Sequence, residues 1–507
     1  MPAQAATSSE FEFDVKKIIL HGITVFSEKS IQDLIKGAAG KRMSFLELRA
    51  YANRITRFYR NQGYFVAKAY IPAQEVSDGV IQFYVMEGVY DGIRLKNNSS
   101  LPDSRVYKTL ESLEEEHVIR KDILIRDMLL LNDNPGINAK ASLQPGSTLG
   151  SADLMVDLED RPKYESSAEI DNYGNYYTGQ VRASGVVRIN HPTDVGDGLI
   201  LQGLTSGSGL LYGRASYKSM DIHEGLRFGA EVSTMRYALG KEFKSLDANG
   251  SADVLGVSAR YPAVRSYNLN LYLKAAYVGK RLQDRIDALN QVTDKSVRQV
   301  RLTFSGDSRD SYLGGGINDF MLTYTRGDLD IGSSQARLFD ATTAMTNGGY
   351  NKLTVRALRL QRINDDEGLY LSVATQLASQ NLDSSEKFIL GGPYGVRAYP
   401  EGEAAGDEGY LLNVEYRKRM PAIKGVPGDT QFVGFFDAGY SRLVKHPWTS
   451  YTGQRARRLQ GMGVGFKWTQ SEKYSVQASV AWKVGSETAQ SAPDSRMRLW
   501  VQGRMNF

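Results

Sequence analysis

A chain of 507 residues without a single cysteine has no disulfide framework, thiolate metal site or cysteine nucleophile. Its 62 basic side chains outnumber 57 acidic ones only slightly and form no run that would track phosphates, so nucleic acid is not expected as a partner. Fifty glycines and 29 tyrosines against 14 prolines favour strands and tight turns, and no stretch reaches the roughly 20 consecutive apolar residues of a membrane-spanning helix.

The segment Met1 to Ala6 lacks the charged and apolar regions of a secretory signal, which leaves a cytosolic chain or a signal already removed, removal being the preferred reading. Residues 1–13 are set apart as a short N-terminal segment. Val15 to Leu20 reads as a strand and Lys29 to Lys36 as a short helix. A longer helix starts at Ser44, with Phe45, Leu48, Ala52, Ile55 and Tyr59 spaced to share one apolar face. Ser44 with Glu47 three residues on forms a capping box, and Gly63 can take the left-handed turn that ends the helix. Strands at Ala67 to Ile71 and Val80 to Val85 follow, separated by the turn Asp78-Gly79. The same order recurs: a strand near Ile93 to Lys96, helices near Ser104 to Leu113 and Arg120 to Asn132, then strands near Ile137 to Leu143 and Asp153 to Leu158. This is a repeat of roughly 75 residues, with modules at 14–88 and 89–162.

The run from Tyr51 through Tyr59, Arg60, Gly63 and Tyr64 to Ala69-Tyr70-Ile71-Pro72, Gln74, Asp78-Gly79 and Glu87-Gly88 resembles the polypeptide-transport-associated (POTRA) domains of outer-membrane transporters. The second module matches them more loosely. Such a sheet has exposed edges to which an unfolded client can add a strand through main-chain hydrogen bonds. The groove between the strand carrying Ala67, Tyr70 and Ile71 and the helix carrying Arg49, Arg57 and Arg60 is the expected binding place. The plainer reading of those arginines is solvated surface.

From 163 to 507 sixteen strands separated by turns or loops are expected, beginning near Ser166, Gly179, Gly198, Leu210, Gly225, Ser251, Ser266, Ser296, Gly316, Tyr350, Gly368, Glu408, Thr430, Arg458, Tyr474 and Met497. Alternation is clearest near the end: Tyr474, Val476, Ala478, Val480, Trp482 and Val484 share one face, Ser475, Gln477, Ser479 and Lys483 the other. In the last strand Leu499, Val501, Met505 and Phe507 oppose Arg498, Gln502, Arg504 and Asn506. One face suits lipid and the other water, and an even count permits closure into a transmembrane barrel with an aqueous lumen. The fold class is therefore mainly β, a 16-stranded antiparallel transmembrane barrel preceded by two small α/β domains. A soluble all-β sandwich also alternates, but it would not usually need sixteen strands and long polar loops.

A long segment, 381–407, separates the eleventh and twelfth expected strands and carries Gly391-Gly392-Pro393 and Val396-Arg397-Ala398-Tyr399-Pro400; loops this long are often functional. The thirteenth strand carries Phe435, Asp437 and Gly439, with Asp437 opposite Phe432, Phe436 and Tyr440. Together these motifs resemble the signature of the two-partner secretion transporters (TpsB family), whose superfamily includes the barrel-assembly insertases. The resemblance implies a loop that folds into the lumen on Val396, Arg397, Ala398 and Tyr399, received by Phe435, Asp437 and Gly439. Ala398 stands where the family has glycine, so its backbone is expected either to avoid conformations closed to a residue with a β-carbon or to accept strain.

The resemblance also implies an outer-membrane protein in bacterial lipid, with its small domains in the periplasm and acting as a monomer. It would export an unfolded, β-helical secreted partner (TpsA-type exoprotein) without cofactor or nucleotide. Family members often begin with a pore-plugging helix followed by a linker, and residues 1–13 are too short to supply both, so the plug was removed or never existed; if it is missing, the 396–399 loop and its neighbours alone restrict the lumen. An insertase is the alternative, though insertases usually carry more than two N-terminal modules. A solute porin would not explain the modules, and a hydrolase lacks a credible nucleophile and base. No phosphate-binding glycine loop is found, and His21, His117, His191, His223 and His446 lie far apart in sequence and read as surface or packing residues, so neither metal nor catalytic chemistry is expected.

Overall fold

The computed structural model describes residues 12–422, 424–425 and 427–507. Most of the 1–13 segment, and any helix within it, lies outside the described residues, although Glu12 and Phe13 already belong to a strand. The chain divides into two compact units, one reaching Arg161 and the other running from Pro162 to Phe507, with residues 134–136 grouped with the second.

In the first unit, the central strand Val80–Met86 runs parallel to Lys17–His21 and antiparallel to Lys68–Tyr70. The helix Phe45–Asn61 begins at Ser44 with both halves of the capping box formed, and it buries Leu48, Ala52, Ile55 and Tyr59. Phe45, expected on the same face, is half exposed, because the first helical residue precedes the turn that meets the core. The expected strand Val15 to Leu20 is two strands, Glu12–Val15 and Lys17–His21, the first of which pairs with Lys41–Ser44. The break falls where Gly79 accepts from the amides of both Lys16 and Lys17.

The second module repeats the topology: Ser151–Asp160 lies between a parallel Val89–Asn98 and an antiparallel Ile137–Pro145. Helices Asp103–Glu116 and Lys121–Asn132 supply Val106, Leu110, Leu113 and Leu131 to its core. The Lys121 amide donates to the Gly63 carbonyl at 3.0 Å, so the end of the first module's long helix meets the start of a helix in the second.

In the second unit sixteen antiparallel strands close on themselves, from Tyr164–Asp171 to Met497–Asn506. Closure leaves no sheet edge, which is what lets a sheet stand in hydrocarbon, where each unpaired backbone group costs several kcal/mol. Six of the expected strand starts coincide with the observed ones, and the largest error is the eighth strand, which begins at Gln291 rather than Ser296. Leu273 and Tyr277, Val300 and Leu302, Val464 and Phe466, and Leu499 and Val501 are exposed on the outer face. Lys280, Gln299, Glu415 and Asp437 stand on the opposite, inner face, as the strand period of two requires. The wall is uneven: the seventh and eighth strands, Leu269–Ile286 and Gln291–Asp310, pair over 18 residues, whereas the last strand meets the first over five.

Candidate functional site

Strands eleven, Glu367–Ala378, and twelve, Glu408–Arg419, are joined by the long segment that carries Arg397. That segment lies against the inner wall. Asp437, on the thirteenth strand Asp429–Arg442, is completely buried and takes the Arg397 side chain in a fork: Nε donates to Oδ2 at 2.8 Å and Nη2 to Oδ1 at 2.7 Å. The Arg397 amide adds a third bond to Oδ2 at 3.1 Å. Nη1 donates to Glu415 Oε1 at 2.7 Å, and the guanidinium carbon lies 3.5 Å from the centre of the Phe435 ring. A planar fork matched to a carboxylate is the strongest geometry available to an ion pair. Burial works against the Arg397 charge, but the hydrogen bonds and charges of Asp437 and Glu415 outweigh it and hold the guanidinium above its ordinary value.

The neighbours of Arg397 are seated as tightly. Val396 and Tyr399 are fully buried in a cluster with Leu390, Leu411, Phe435 and Leu459. Ala398, also fully buried, is not among the residues with positive φ, so its backbone lies outside the region that favours glycine. Its Cβ sits over Gly461 of the fourteenth strand, where a second Cβ would approach it to 2.6 Å. A Cβ on Gly439 would come within 2.3 Å of Leu390, so glycine at this signature position leaves room for the loop itself. The structure thus brings together all seven motif residues predicted for the loop and wall.

Sequence reasoning missed several partners. Glu415 is the second carboxylate on Arg397 and also receives Arg417, at 2.6 and 2.8 Å. Asn413 donates to Asp437 Oδ1 at 2.7 Å and to the Gly395 carbonyl at 3.0 Å. Trp500, on the last strand, donates from Nε1 to the Arg397 carbonyl at 2.7 Å. Buried Glu403 accepts from the Gln490 and Ser491 amides at 2.9 Å and pairs with Arg457. The alternation Asn413, Glu415, Arg417 was the available signal, since every second polar residue of a barrel strand faces water.

In the first module Arg60 Nε reaches the Ala67 carbonyl at 3.4 Å, while Arg49 and Arg57 are exposed. Ala67 is fully buried, and Thr56 Oγ1 accepts from the Ala69 amide at 2.9 Å, so helix and strand are in contact where a groove was expected. Tyr70 and Ile71 are half-buried, the Tyr70 ring tilted against Tyr84. Glu87, from the Glu87-Gly88 pair, accepts from Tyr59 Oη at 2.7 Å and the Thr24 amide at 2.9 Å, a structural role. Among the described residues no cluster of His, Asp and Glu could hold a metal ion.

The family profile described as haemolysin secretion/activation protein ShlB/FhaC/HecB matches residues 150–468, and a ShlB-type POTRA profile matches residues 13–88. The chain belongs to the two-partner secretion transporters. It is 30% identical over 454 residues, 88% of its own length and 79% of the relative's, to the heme/hemopexin transporter protein HuxB of Haemophilus influenzae strain 86-028NP. It is 23% identical to the outer membrane transporter CdiB of Dickeya dadantii over 95% of this chain and 85% of that one. The solved structure of CdiB from Escherichia coli matches all of this chain and 93% of its own with a TM-score of 0.77 at 18% identity, a likeness of fold. BamA from Haemophilus ducreyi lies further away, at a TM-score of 0.55. This two-partner secretion transporter is an outer-membrane barrel with periplasmic POTRA domains that exports a secreted partner protein.

Proposed function

We propose that the fork between Arg397 and Asp437 is the latch that keeps the lumen loop docked across the pore, and that export requires its release. The observation that carries this reading is a buried carboxylate on the inner wall taking three bonds from one loop residue. The periplasmic domains capture an unfolded, β-helical exoprotein by adding it to a sheet edge; the outer edge of Lys68–Tyr70, beside Tyr70 and Ile71, is the place to look, with Arg49, Arg57 and Arg60 on the neighbouring helix. The client threads through the lumen and folding outside draws it forward, with the transporter acting as a monomer in outer-membrane lipid. No catalytic step is required. Since HuxB is a heme/hemopexin transporter, a secreted protein that engages heme or hemopexin is the first client to test.

Removing one partner of a buried ion pair costs about 3 to 5 kcal/mol, enough to shift the docked population about a hundredfold or more. Because a working cycle needs the loop to dock again as well as to leave, Arg397→Ala and Asp437→Ala should reduce secretion strongly while barrels still insert in normal amount, measured as secreted client per inserted transporter. Loss of inserted protein in parallel with secretion would mean that the pair serves folding and not gating.

A further inference from the structure

Besides the Arg397 fork and the Glu403–Arg457 pair, the lumen loop is fastened on other strands of the wall, again by loop carboxylates on wall cations. Directly after the eleventh strand, Asp383 caps a single turn, Ser384–Glu386, by accepting from the Ser385 amide at 3.0 Å. That turn presses Glu386 against the inner wall, where its carboxylate is almost wholly buried. Lys280 of the seventh strand and Lys352 of the tenth, Gly348–Arg362, both donate to it, Lys352 at 2.7 Å, and Gln299 of the eighth adds a bond at 2.7 Å. Lys295, also on the eighth strand, pairs with Asp383 at 2.8 Å and with Asp284 at 3.2 Å. The main chain is held as well: Gln376 and Lys352 donate to the Glu386 carbonyl at 3.0 and 3.2 Å.

Resting on the reading that the loop must leave the lumen for export, we propose that Glu386 and Asp383 are positioning residues forming a second latch, and that the pore clears only when both latches part. At the first, a loop cation enters wall carboxylates on strands twelve and thirteen; here loop carboxylates enter wall cations on strands seven, eight and ten. The two docks therefore tie different stretches of one loop to different strands of the wall, and loosening one leaves the other to hold the segment across the pore. Withdrawal of Glu386 strands Lys280 and Lys352 side by side with no carboxylate between them, and like charges so placed repel. Lysine ammoniums on flexible stems make this dock a set of point charges, without the planar fork that fixes Arg397 in one geometry. Its strength should accordingly follow charge sign more than side-chain shape.

The test is single-channel conductance of the full-length transporter in planar bilayers, with heat-modifiable gel mobility as the check on barrel folding. Glu386→Gln should raise the time spent in the large-conductance state several-fold, Asp437→Asn should do the same, and the double variant should exceed either alone. The exchange Glu386→Lys with Lys280→Glu and Lys352→Glu, which reverses every charge of the group, should return gating towards that of the unaltered protein; a role in which the charges do not matter would not be rescued. If Glu386→Gln does not fold, Lys280→Gln with Lys352→Gln asks the same question from the wall side. Unchanged gating in the Glu386 and lysine variants, beside an open Asp437→Asn channel, would overturn the second latch and leave the first intact. Unchanged gating in Asp437→Asn as well would overturn both.

Discussion

Glu401 sits two residues beyond Tyr399 in the lumen loop, and burial pushes its carboxyl up to about 7, opposed only in part by the charge of Arg182. Because its value in the folded protein lies above the ordinary 4.5 of a glutamate, the docked loop favours the protonated form. The contribution of Glu401 to docking is therefore fully present below pH 4.5 and is lost as pH rises through about 7, where ionisation sets a charge against burial. Channel openings should be more frequent at pH 8 than at pH 5, and Glu401→Gln should flatten that dependence. An equal pH slope in the variant would assign the effect to another group. Small residues matter at this scale too: Gly439 and Gly461 are where the wall recedes to admit Leu390 and Ala398. Ala398 fits in the loop because Gly461 on the opposing strand leaves room for its Cβ.

At the scale of elements, the strength of each ladder follows its length, since every further pair adds main-chain hydrogen bonds without new closure entropy. The seam between Met497–Asn506 and Tyr164–Asp171 is paired over Gln502 to Asn506 alone, against 18 residues between strands seven and eight. Amides directed across the seam should lose protection in hydrogen exchange well before those between Leu269 and Ile286 and their partners, because local opening samples the least-paired element first. Uniform exchange round the barrel would show that side chains such as Gln502, bonded to Glu169 at 2.6 Å, make up the deficit. The helix Phe45–Asn61 was readable end to end, its cap and its buried stripe both written locally. The pairing of Glu12–Val15 with Lys41–Ser44 was not, because neither four-residue strand has a pattern of its own until the other is beside it.

For the whole molecule, the two periplasmic cores close within residues 15–158, one around Ile55, Tyr59 and Phe83, the other around Leu110, Leu154 and Leu158. A separate core is what lets a domain fold alone. The segment 12–161 produced by itself should show helical circular dichroism and a cooperative thermal transition, and a transporter lacking it should insert but export nothing. A molten, non-cooperative segment would mean that these modules need the barrel to fold.

Period-two alternation sufficed to count sixteen strands and to turn Asp437 inward, because those properties are carried by neighbours in the chain, while the motif from Val396 to Tyr399 was read from its resemblance to the family. What the sequence left open was who else, besides Asp437, meets Arg397. Glu415, Asn413 and Trp500 come from strands twelve and sixteen, and the turn at Asp383 to Glu386 finds lysines 106 and 34 residues before it. Register around a closed wall sets those meetings, and register is a property of all sixteen strands together, decided only once the last has joined the first.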